Sequence, residues 1–200
     1  MVVLKTKINL YIIFTFFFLS SCSNTNESFL ELESCANNKL ISKLNSYNNI
    51  DSNDSIINKF SLFDTIENFE NQLINQKLLL GKTKEDYLKL IIKLEESEDL
   101  KSHYKKLVDN NRFLDYISND ITTMNFLYDK CPNEVGLSSN IKNIYFEIFK
   151  EGYPTIDILN KLIKMRDFEN SVFRKSICYL VFIHLKFDKV NSKEKSPPKF

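Results

Sequence analysis

The run Thr83-Lys84-Glu85-Asp86-Tyr87-Leu88-Lys89-Leu90-Ile91-Ile92-Lys93-Leu94 is written with the period of an α-helix. Tyr87, Leu90, Ile91 and Leu94 fall at i, i+3, i+4 and i+7, which lines one apolar stripe along a helical face. Thr83 with Asp86 makes a capping-box pattern, and Gly81 is placed to end the preceding helix in the left-handed conformation. Glu85 and Lys89 face each other at i and i+4 on the outer side. Start, stripe and stop agree.

The same period recurs on both sides. Phe29, Leu32, Ala36, Leu40 and Leu44 predict a first helix, and Ile56, Phe60, Phe63, Ile66, Phe69 and Leu73 a long second one. Asp64 is a candidate break in it, with Glu67 renewing the cap. A short helix is expected over Leu100–Val108, and Leu114, Ile117, Ile121, Met124 and Tyr128 carry the pattern on. Cys131-Pro132-Asn133-Glu134-Val135-Gly136 reads as a loop. Ile141, Ile144, Tyr145, Ile148 and Phe149 form the next stripe, ended by Gly152, and Pro154 with Asp157 starts another through Leu159, Leu162 and Ile163. The last helix, Phe168 to Phe187, holds the longest apolar run of the body, Ile177–Ile183, far short of the ~20 residues that span a bilayer. It reads as a central core helix.

With three Gly and four Pro in 200 residues, the chain has little punctuation for the tight turns of a β fold. The fold class is therefore all-α, an irregular bundle of about seven to eight helices. Tetratricopeptide-type repeats need small residues where paired helices approach, and Ala36 is the sole alanine. A short HEAT-like α-solenoid is the alternative architecture.

The amino-terminal end has a different grammar. Lys5 and Lys7 give a positive start, Ile8–Leu19 is apolar apart from Asn9 and Thr15, and Leu19-Ser20-Ser21-Cys22 closes it with small residues before a cysteine. This is the three-part plan of a secretory signal. Leu19-Ser20-Ser21-Cys22 resembles the lipobox of bacterial lipoproteins, and the wider Phe18–Asn24 string is similar to the export signals of Bacteroidota lipoproteins. The resemblance implies cleavage before Cys22, a diacylglycerol on its sulfur and a third acyl chain on the new amino terminus. Ser23 after the cysteine implies the outer membrane, on its periplasmic face, since the acidic tract of surface-displayed relatives is missing from Ser23-Asn24-Thr25-Asn26. On this reading residues 1–21 are the leader, 22–27 the lipidated cysteine and a polar tether, 28–188 one helical domain and 189–200 a polar disordered tail. Each buried acyl methylene contributes ~0.8 kcal/mol, so two or three chains hold a protein without help.

Without the leader, 25 basic residues face 26 acidic ones. A nucleic-acid partner is not expected, because such binders carry a basic excess. With Cys22 lipidated, Cys35, Cys131 and Cys178 remain, enough for one intramolecular disulfide. Cys178 lies inside the apolar run and reads as a small buried hydrophobe, which makes Cys35 and Cys131 the candidate pair. Spacing alone does not fix that connectivity.

Chemistry-bearing motifs are sparse. Asp51-Ser52-Asn53-Asp54-Ser55 begins like a calcium loop but has Ile56 where glycine belongs and Leu62 where the bidentate acid belongs. Glu95-Glu96-Ser97-Glu98-Asp99 reads as a solvated helix junction, and His103, four residues after Asp99, as its surface partner. His184 reads as a satisfied core histidine. No catalytic residue, metal ligand set or cofactor fingerprint is expected from the motifs present. The function read from sequence is a lipid-anchored envelope module that binds another protein without catalysis. An immunity or inhibitor lipoprotein is a narrower version, and an envelope enzyme with a site assembled only by the fold is the alternative.

Overall fold

The computed structural model describes residues 23–48, 61–96, 104, 106–119 and 121–187. Among these residues the protein is all-helical. The α-helices are α1 (Ser23–Asn48), α2 (Leu62–Asn75), α3 (Lys84–Glu96), α4 (Arg112–Ser118), α5 (Ile121–Asn125), α6 (Cys131–Glu134), α7 (Ser139–Glu151), α8 (Ile156–Lys164) and α9 (Ser171–Phe187). A π-turn (Phe126–Lys130) joins α5 to α6, and a 3-10 turn (Arg166–Glu169) precedes α9. Residues 104 and 106–110 are also helical.

Helix α9 is the axis. Thirteen of its seventeen residues are buried, among them the whole run from Ile177 to Ile183. Each such Ile, Leu or Phe contributes about 1.5–3 kcal/mol by leaving water. The helix packs against α1, α2, α8 and the 3-10 turn. Edge-on rings lock the contacts: Phe69 on Phe182 at 5.2 Å and Tyr87 on Phe168 at 5.0 Å. The buried polar atoms of Ser176 are used too, its hydroxyl 2.6 Å from Tyr145 Oη and its carbonyl accepting from Tyr128 Oη at 3.2 Å. Phe29 of α1 meets Phe173 of α9 at 5.4 Å, so the first and last helices touch. A solenoid repeat contacts only its neighbours. The bundle is closed.

The apolar stripes lie where periodicity puts them, but several element ends differ. α2 starts after Ser61, whose backbone is extended and whose Oγ accepts from Asp64 N at 3.1 Å. Asp64 therefore lies in the first turn of the helix and does not break it, because the cap is made by Ser61 and not by Asp64 and Glu67; Ile56 and Phe60 of the expected stripe lie outside the described residues. The same helix ends at Asn75, not Gly81. Lys77 takes the left-handed turn (φ 59°), Leu78 N bonds Leu73 O and Lys77 N bonds Ile74 O, the two bonds of a Schellman motif. Gly81 serves another purpose: a Cβ there would stand 2.7 Å from Asp86 Oδ2, the carboxylate of the α3 cap. Phe168 belongs to the 3-10 turn, and α9 begins after Asn170, whose Oδ1 accepts from Val172 N and Phe173 N.

Two larger corrections concern Cys131 and the start of α1. Residues 131–134, expected as loop, are helical. Pro132 lacks an N–H and its ring crowds the carbonyl four residues back, and the π-turn before it supplies the wider spacing. The stripe from Leu114 to Tyr128 is also divided, at Asn119, where side chains of Ser118, Asn119 and Lys186 all take the Asp115 carbonyl. Ser23–Glu27, expected as a polar tether outside the helical domain, forms the first turns of α1. Asn170 Nδ2 donates to Asn26 Oδ1 at 3.0 Å, which fixes that end to the start of α9. Residues 1–22, 49–60 and 188–200 lie outside the described residues, with Cys22, Asp51–Ser55 and the polar tail among them.

Candidate functional site

Two polar constellations stand out. The first is the seam between α1 and α6. Cys35 and Lys39 sit at i and i+4 on one face of α1, and Cys131 and Glu134 at i and i+3 on one face of α6. The two faces are joined twice: Cys35 and Cys131 form a disulfide with their Cα atoms 5.8 Å apart, and Lys39 Nζ donates to Glu134 Oε1 at 2.8 Å. The second carboxylate oxygen of Glu134 stands 3.4 Å from Cys35 Sγ. Cys131 is fully buried and Cys35 half-buried. Beside them an open hollow of about 450 Å³ is lined by Glu31, Ser34, Cys35, Asn38, Glu134 and Val135.

The π-turn positions this seam. Its signature is Cys131 N–H bonding Phe126 O, five residues back. Each residue turns a helix by about 100°, so the one extra residue rotates Cys131 and Glu134 by that angle relative to an unbroken α5–α6. Asn133 Nδ2 takes up the Asp129 carbonyl at 2.8 Å where the ladder is disturbed.

The second constellation is a buried ionic cluster between α2, α3 and α9. The Glu70 side chain has no exposure. Its Oε1 accepts from Tyr87 Oη at 2.7 Å and from Arg174 Nε at 3.0 Å, while Lys82 Nζ lies 3.3 Å from Oε2. Glu67 pairs with Lys175 at 2.7 Å and with Lys82 at 3.0 Å. Hydrogen bonds from Lys175 and Lys82 hold the Glu67 carboxyl down to about 2. Burial raises Glu33, with Lys175 opposing and Asp64 and Glu67 reinforcing. Burial also pushes the Cys178 thiol well above its usual range, and Glu70 adds to that. Two carboxylates here face three cations, so each charge taken from water has an opposite neighbour.

The site residues read from sequence are placed as follows. Cys35 and Cys131 are brought together. Cys178 is a free, buried thiol. His184 is 7% exposed, and its Nδ1 donates to the Pro154 carbonyl at 3.0 Å, which fixes the proton on that nitrogen. His103 lies outside the described residues, as do Ser97–Asp99 of the acidic patch. Sequence reasoning missed the Glu70 cluster and the place of Glu134 beside the cysteines. Both had a signal: Glu70 adjoins Phe69 and stands four residues after Ile66 on the apolar stripe, and Cys131 and Glu134 have helical spacing. No family model, curated protein or solved structure matches the chain.

Proposed function

We propose that the chain is a lipid-anchored protein of the bacterial cell envelope, held through Cys22, whose helical body binds another envelope protein and catalyses nothing. The observation that carries this reading is the leader ending in Leu19-Ser20-Ser21-Cys22. The Cys35–Cys131 bridge supports export, because disulfides persist in oxidising compartments and are rare in the cytosol. Among the described residues no helix is long and apolar enough to cross a membrane; on this reading the attachment is made by the acyl chains on Cys22. The binding role is supported by the way the reactive groups are used: Glu70 is held by Tyr87, Arg174 and Lys82, and His184 by Pro154 O. These are the pairs of a core.

Attachment directly ahead of α1 gives a short leash. At 1.5 Å per residue, Phe29, the first core residue, lies about 9 Å along α1 from Ser23, the residue that follows Cys22 in sequence. The body therefore presents itself to partners close to the bilayer on the periplasmic face of the outer membrane. Replacing Cys22 with Ser should move the protein from the membrane fraction to the soluble one, with intact mass showing loss of the acyl chains. A Cys22→Ser protein that stays on the membrane sinks the anchor. Gentle crosslinking and capture from detergent-solubilised envelopes tests the binding role, and recovery of no specific partner counts against it.

A further inference from the structure

We propose that reduction of the Cys35–Cys131 bridge creates a binding site for one thiophilic divalent cation, typified by zinc, held by the two thiolates and the Glu134 carboxylate. The sulfurs and a Glu134 oxygen already lie within 4.8 Å of one another. Tetrahedral zinc with sulfur at about 2.3 Å sets its donors ~3.7 Å apart. The two sulfurs reach that spacing by side-chain rotation after the bond opens, with the backbones left 5.8 Å apart.

The carboxylate is preset for the role. Lys39 holds Glu134 Oε1 at 2.8 Å while Oε2 faces Cys35 Sγ at 3.4 Å. Glu134 and Cys131 share one helical face, so two of the three donors move together. The hollow over the seam leaves the fourth position to water, the arrangement of three-ligand zinc sites. Lys39 opposes the incoming charge and limits affinity.

The chemistry balances with a small dithiol as reductant. The dithiol gives two electrons and two protons to the S–S bond and becomes its own disulfide, leaving Cys35 and Cys131 as thiols. Metal binding then releases both thiol protons to solvent as two S–metal bonds form. A small-molecule disulfide reverses the exchange: it takes two electrons from the two thiolates and two protons from solvent, leaves as two thiols, and the closing S–S bond expels the cation. The site is independent of lipidation, and its test needs no membrane.

The test is a cobalt(II) titration of the full chain carrying Cys22→Ser, in detergent, before and after dithiol reduction. Reduced protein should bind one cobalt with a thiolate-to-cobalt charge-transfer band, and oxidised protein should show none. Zinc should erase the band. Glu134→Gln should weaken binding at least about tenfold, and Lys39→Met should tighten it. Should the reduced chain lose its helical circular dichroism, zinc is expected to restore it. The proposal is overturned by a folded reduced chain without the band, by an unfolded one that zinc does not rescue, or by a band indifferent to Glu134→Gln and Cys35→Ser.

Discussion

At residue scale the clearest liability is Lys77, a non-glycine residue at φ 59°. The left-handed conformation costs an ordinary residue roughly 1–2 kcal/mol, whereas glycine adds about 0.5–1 kcal/mol of chain entropy on folding. The first number is larger, so Lys77→Gly should stabilise the protein by about 0.5–1 kcal/mol. A higher urea midpoint at unchanged slope is the expected reading, and a lower midpoint contradicts the Schellman assignment. Glu67 sets a pH dependence. Its folded pKa, about 2, lies below the ordinary glutamate value of 4.5. Its contribution is therefore complete above pH 4.5 and is lost as the pH falls toward 2. Glu33 is shifted the other way, so its protonation favours folding as the pH drops. Urea midpoints taken from pH 5 down to 2 should converge for wild type and Glu67→Gln. Parallel curves would show that the Lys175 and Lys82 pairs hold nothing in solution.

At the scale of elements, helix stripes were legible and helix ends were less so. A stripe is a local property: Phe63, Ile66, Phe69 and Leu73 bury one face whatever else the chain does. An end is a competition between neighbouring caps. Ser61 won over Asp64, Asn170 over the turn before Phe168, and Lys77 over Gly81, each time through hydrogen bonds that sequence offers at more than one position. The π-turn was hidden because Phe126–Glu134 still reads as helix with a proline in it. The seam was half legible. Three cysteines narrow the pairing, but nothing local places Glu134 beside Cys35 across 99 residues. Gly81 tests how a cap is built. Its missing Cβ leaves room for Asp86 Oδ2, which accepts from Thr83 Oγ1 at 2.6 Å. Gly81→Ala should displace that carboxylate and cost about 1 kcal/mol, the usual worth of a cap. In an Asp86→Ala background the same change should cost much less, since the two share one contact. Additive losses in equilibrium unfolding would place the role of Gly81 elsewhere.

At the scale of the whole molecule, the long-range ties converge on α9 and α1. The bridge from Cys35 to Cys131 closes 96 residues of chain, which on the loop-entropy account restrains the unfolded state by about 4–5 kcal/mol. α9 is reached from α1, α2 and α8 together, so it cannot be exposed without dismantling most of the core. Cys178 sits in that helix with 0% exposure, and burial keeps its thiol protonated. Its alkylation therefore reports opening of the bundle itself. In a Cys22→Ser protein under non-reducing conditions, native samples should show no rapidly reacting thiol and urea-unfolded samples one. Reduction before unfolding should raise the second count to three and speed Cys178 labelling in native buffer, because the loop restraint is gone. Mass spectrometry of alkylated peptides assigns each label. Rapid native labelling of Cys178 with the bridge intact would mean that α9 is not the buried axis, and the closed bundle built on it would fall with that result.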